Sequence, residues 1–93
     1  MRNQAILKRA LALLMCCVDA YAYASLTLED DNATEIEKSR AKNSIDKFRY
    51  KRDILREVLT AHPKMREAAE CEAWHRAKLR YDKERGNNGG MDA

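Results

Sequence analysis

Cys16, Cys17, Cys71 and His75 are the residues of this chain best suited to chemistry. Cys71 and His75 stand four apart, so on a helix a thiolate and an imidazole would share one face. That pair could hold two positions of a zinc ion, or act as nucleophile and base. Neither use is expected. The adjacent Cys16 and Cys17 diverge by about 100° on a helix and make a poor chelate, and an apolar cysteine ordinarily packs as a small hydrophobe. A cysteine nucleophile also needs an orienting group beyond its base, and none accompanies the pair. There is no Ser-His-Asp arrangement, no glycine-rich phosphate loop and no acidic metal cluster. The residue types therefore argue against an enzyme and imply no cofactor and no metal.

Charge is the stronger signal. Between Lys38 and Arg56 the cations Lys38, Arg40, Lys42, Lys47, Arg49, Lys51, Arg52 and Arg56 are opposed only by Asp46 and Asp53, while the stretch from Glu29 to Glu37 is acidic. On a helical projection Lys38, Lys42, Arg49, Arg52 and Arg56 follow one edge of an apolar stripe, and Arg40, Lys47 and Lys51 the other. Such edges either shield a helix–helix seam or meet a ligand of opposite charge, an acidic protein surface or the phosphates of a nucleic acid. The net charge of +3 is too small to favour nucleic acid by itself, and no aromatic ladder accompanies the cations for base stacking. Trp74 and Tyr81, seven apart on an otherwise polar segment, are candidate interface anchors, or else dock on the chain's own helices.

These side chains need helices to position them. All three glycines fall at or beyond Gly86 and the only proline is Pro63, so the first 85 residues hold almost no breakers. The spacing predicts an apolar helix over about 3–28, in which Leu7, Leu14, Tyr21 and Leu28 recur every seven residues with Ala10, Cys17 and Ala24 between them. A polar break follows, with Asp31 or Asn32 as N-cap. A long amphipathic helix over about 33–62 then carries Ala41, Ile45, Phe48, Leu55 and Leu59. Pro63 suits the first turn of a third, charged helix over about 63–85, and residues 86–93 read as a flexible tail. The class is all-α, one domain over 1–85.

The first helix is apolar around most of its girth between residues 10 and 18, so a single antiparallel neighbour cannot cover it. We therefore expect a dimeric helical bundle, a homo-oligomer associating through Leu7, Leu11, Leu14, Val18 and Tyr21. The uncharged run of Ala10–Val18 is nine residues, short of the roughly 20 needed for a membrane span. Ala22-Tyr23-Ala24 has the form of an export cleavage site. Asp19 and the two cysteines in the apolar run favour a cytoplasmic protein over one exported after cleavage near Ala24.

Together these features predict a small non-enzymatic interaction module: an adaptor, assembly factor or inhibitor of a larger protein with an acidic surface. Its size and lack of chemistry would suit an accessory protein of a phage or mobile element. Recognition is expected through Lys38, Lys42, Arg49, Arg52, Arg56, Trp74 and Tyr81. The alternative is binding of nucleic acid or a phosphorylated ligand by the same basic edge.

Overall fold

A computed structural model describes residues 2–86. Three helices, α1 (Arg2–Glu29), α2 (Glu35–Val58) and α3 (Pro63–Tyr81), are followed by a π-helical turn over Asp82–Gly86. No strand occurs among the described residues. The all-α class and the three-helix order match the sequence expectation. Residues 87–93, most of the expected tail, lie outside the described residues.

Each boundary has a local cause. The α1–α2 connection is held by Asp30, whose carboxylate accepts from the Asn32 amide at 2.9 Å and whose carbonyl accepts from the Ala33 amide at 3.1 Å. The N-cap of α2 is Thr34, not Asp31 or Asn32. The Thr34 hydroxyl accepts from the Glu37 amide at 3.1 Å, and the Glu37 carboxylate accepts from the Thr34 amide at 2.8 Å. That reciprocal box satisfies two otherwise orphaned donors, which a single Asn or Asp cannot do. At its other end α2 stops at Val58, short of the expected 61–62. The Leu59 amide still bonds back to Leu55, but Thr60 donates its hydroxyl to the Glu57 carbonyl at 2.7 Å, and the chain turns. His62 sits at φ −130° and ψ 60°, outside the helical region that a following proline disfavours, and Pro63 opens α3.

Both α2 and α3 pack along α1 rather than along each other, making a body of 51 × 28 × 17 Å with α1 in the middle. α2 runs antiparallel to α1, and α3 parallel to it. The core gathers Ala10, Leu14 and Val18 of α1 with Leu59, Ala69 and Ala73, flanked by Leu7, Leu11, Met15 and Leu55. The apolar face of α3 is Ala69, Ala73, Ala77 and Tyr81 at four-residue steps, all buried. Alanines let two helix axes approach closely, which explains how a helix with so little apolar bulk still docks.

This arrangement corrects the reason given above for a dimer. The first helix does need cover on two sides, but α2 and α3 of the same chain supply it. Leu14 and Val18 are 0% exposed in the single subunit, so neither is free for self-association. By length and composition alone Asn3–Glu29 could cross a membrane, since Asp19 is the sole charge from Ala10 to Leu28. Core helices pass the same test, and here the segment is the middle helix of three.

Candidate functional site

The side of α1 turned away from its core carries Ala12, Leu13, Cys16 and Ala20. Leu13 is 47% exposed, Ala12 and Cys16 are exposed, and Ala20 is half-buried. These residues form an apolar floor between two banks. On the α3 side a cleft of about 350 Å³ is bounded by Ala12, Cys16, Asp19, Ala73 and Arg76. Further along α1 a second cleft of about 350 Å³ opens between Ala20 and Ala24 on one side and Ala41 and Ser44 on the other, with Arg40 and Arg80 at its rim.

The α2 bank is Arg40, Ser44, Lys47 and Lys51, a single stripe at steps of four, three and four residues. Lys51 is close enough to Cys17 to draw its thiol pKa down, although burial dominates and pushes that thiol up overall. Lys47 and Lys51 straddle the half-buried Phe48 ring, at 5.8 and 6.0 Å from its centroid. The α3 bank supplies Arg76, paired with Glu72 at 3.4 Å, and Arg80, paired with Asp19 at 2.7 Å. Among the described residues Arg40, Lys47 and Lys51 form no ion pair, so this side of the molecule is apolar at its centre and basic along its margins.

The opposite side is closed by the chain itself, and several residues expected to meet a partner are consumed there. Arg52 lies 4.8 Å over the Tyr21 ring and also pairs with Asp53 at 2.9 Å. Tyr21 in turn meets the edge of Trp74 at 6.2 Å. Arg56 grips Glu70 with two nitrogens, at 2.8 and 2.5 Å, and Arg66 adds a third bond at 3.1 Å. These contacts hold the buried Glu70 carboxyl below its ordinary range, Arg56 contributing most. Arg52 and Arg56, expected to meet a partner or a phosphate, thus also join α2 to α1 and α3 within the subunit. Tyr81 turns inward too. It is 8% exposed, its hydroxyl donates to Asp30 at 2.5 Å, and its ring stands edge-on to Tyr23 at 5.1 Å.

Of the remaining predicted residues, Leu7 and Leu11 are half-buried against the core and Tyr21 is half-buried between α2 and α3. Lys42 and Arg49 are exposed, Lys38 is half-buried, and Trp74 keeps 39% of its surface open. The sequence reading gave no contact role to Leu13, Arg76 or Arg80, and weighed Cys16 only for metal or nucleophile chemistry. Arg40, Lys47 and Lys51 were legible as the second basic edge, yet nothing in the periodicity said which edge the third helix would cover.

One end of the open side is locked by a clasp. Arg85, in the π-helical turn, binds the Glu37 carboxylate through two nitrogens at 2.6 and 3.1 Å and reaches Asp30 at 3.2 Å. Tyr23 donates a hydrogen bond to Glu84. Arg85 brings Glu37 down to about 2, and burial together with the Asp30 bond pushes Tyr81 up to about 12. Ends of all three helices thus meet at one charge cluster.

Among the described residues no group of three or more His, Cys, Asp or Glu side chains could hold a metal ion. Cys16 and Cys71 are exposed, Cys17 is half-buried, and all three are free thiols. No protein-family model, curated protein or solved structure matches the chain, and its geometry alone bears on its function.

Proposed function

We propose that the protein is a small non-enzymatic interaction module that receives an acidic amphipathic helix of a larger protein along the open side of α1. The observation that carries this reading is the pairing of an apolar floor (Ala12, Leu13, Cys16) with margins of cations, three of which, Arg40, Lys47 and Lys51, form no ion pair among the described residues. An incoming helix with a leucine stripe and flanking carboxylates would bury the first and neutralise the second.

A second copy is a poorer occupant. In a two-fold symmetric pair the same surface meets itself, so each basic margin would approach the other and like charges would face across the seam. Nucleic acid is also less well supported. Of the five cations first assigned to phosphate, Arg52 and Arg56 are engaged within the subunit.

The test is titration of isotope-labelled protein with a synthetic Glu/Leu amphipathic helix, followed by amide and methyl shifts. Perturbation centred on Ala12, Leu13, Cys16 and Ala20, with loss of binding in Leu13→Glu and weakening in the Lys47→Glu/Lys51→Glu double variant, is the expected result. Absence of saturable binding, or shifts centred on Trp74 and Tyr21, overturns the assignment.

A further inference from the structure

The cleft between the C-terminal half of α1 and the N-terminal half of α2 has a makeup distinct from the rest of the open side. Its floor is Ala20, Ala24 and Ala41, small side chains on both facing helices. Elsewhere in this fold alanine brings helices together, but here the facing alanines leave a space of about 350 Å³, at the small end of the roughly 300–1,000 Å³ range of ligand pockets. Two guanidiniums stand at its rim with donors to spare. Arg80 spends one nitrogen on Asp19 and lies 4.6 Å over the Tyr23 ring, two contacts that hold it in place. Arg40, from the facing helix, forms no ion pair among the described residues. Arg85 closes the far wall, but its nitrogens are committed to Glu37 and Asp30.

We infer that this cleft binds a small amphipathic anion, whose carboxylate or phosphate is held between Arg40 and Arg80 and whose short alkyl tail lies on the alanine floor. A guanidinium already oriented by an ion pair and a ring loses little freedom on receiving an anion, and a charge-assisted bond to a planar fork is among the strongest available to a side chain. The tail displaces water from methyl groups that cannot hydrogen-bond to it. This site borders the helix-binding surface and shares Ala20 and Arg40 with it, but it needs neither Leu13 nor the lysine margin, so either can fail without the other.

Octanoate and octyl phosphate, with octanol as the neutral control, test the proposal by titration calorimetry and by methyl shifts of Ala20, Ala24 and Ala41. At least one anion binds saturably, and the tighter of the two tells whether the headgroup is carboxylate or phosphate. Octanol does not match it. Arg40→Ala, an exposed position whose loss leaves the circular dichroism spectrum unchanged, weakens binding roughly tenfold or more. Ala20→Leu, which fills the floor, abolishes it, while Arg49→Ala, outside the cleft, has no effect. Failure of both anions to saturate at millimolar concentration, octanol binding as tightly as the anions, or unchanged affinity in Arg40→Ala would overturn the inference.

Discussion

Leu13 and Leu14 are neighbours in sequence with opposite fates, so truncating each in turn measures the rotation of α1 about its axis. Leu14 is 0% exposed and sits in the core with Val18 and Leu59. Cutting it to alanine removes its transfer free energy and leaves a cavity that rigid neighbours only partly collapse into, a loss of about 3–5 kcal/mol. For a domain of this size, stable by about 5–10 kcal/mol, that is a third or more of the total. Leu13 is 47% exposed, and its truncation costs under about 1 kcal/mol. With a urea slope of about 1 kcal/mol per molar, Leu14→Ala lowers the unfolding midpoint by about 3–5 M, against under about 1 M for Leu13→Ala. The assay is urea unfolding followed by circular dichroism at two protein concentrations at least tenfold apart. Because the core is complete within one subunit, neither midpoint moves with concentration. Equal shifts for the two variants, or midpoints that climb with concentration, would refute the claim that α2 and α3 cover α1 without help.

Three further outcomes follow from named contacts. Glu70→Ala leaves Arg56 and Arg66 without their shared acceptor and costs about 2 kcal/mol, seen as a lower melting temperature, whereas Asp46→Ala, whose partner Arg49 is exposed, costs almost nothing. Acid loosens the clasp and the Arg56–Glu70 pair: Glu37, Asp30 and Glu70 all have depressed pKa values, so their stabilising contribution is whole above the ordinary carboxyl range and is lost as pH falls through the folded values, for Glu37 between 4.5 and about 2. Melting temperature should fall steadily below pH 4.5, less so in Glu37→Gln; a flat profile from pH 7 to 3 would contradict it. Timed alkylation with iodoacetamide should label Cys16 and Cys71 first and Cys17 last, since Cys17 is half-buried and burial disfavours its thiolate; mass spectrometry of the peptides reads the order.

Helix existence was legible from the absence of glycine and proline, and Pro63 was correctly placed as the first residue of the third helix. Position was harder wherever two local solutions competed. Asp31 and Asn32 are good caps by type, but the Thr34–Glu37 box satisfies both partners at once and takes the helix start two residues on from where sequence placed it. The heptad reading of α1 stressed Leu7, Leu14 and Tyr21, whereas the buried line is Ala10, Leu14, Val18 and Ala22, four residues apart throughout. The difference comes from α3. A parallel alanine-faced helix can draw close to small side chains, so Ala10 and Ala22 become core positions that a hydrophobic scale undervalues. Tyr81 read as an interface anchor because an aromatic residue on a polar helix signals an interface without saying whose. Its partners Asp30 and Tyr23 are more than fifty residues away, and no periodicity connects them.

The asymmetry of the molecule has a simple electrostatic origin, and that origin separates the two readings of its basic helix. α1 contributes one acid, Asp19, over its central length, so α2's cations must look elsewhere for partners. On one edge they find Glu70 and the rings of Tyr21, and that side closes. On the other edge Arg40, Lys47 and Lys51 border the apolar side of α1, where Asp19 is already engaged by Arg80 and Glu37 by Arg85. A helix partner would gain there from charge and from buried leucine together, a nucleic acid from charge almost alone. Salt divides them. With three or four phosphates neutralised, a duplex should lose affinity along a log–log salt slope of about −3. The acidic helix should fall less steeply and flatten at high salt, and its binding should carry the negative heat capacity change of apolar burial. Titration calorimetry at three salt concentrations and two temperatures therefore decides the matter. A steep unbroken slope with negligible heat capacity change would assign the basic margin to phosphates and remove the case for a helical partner.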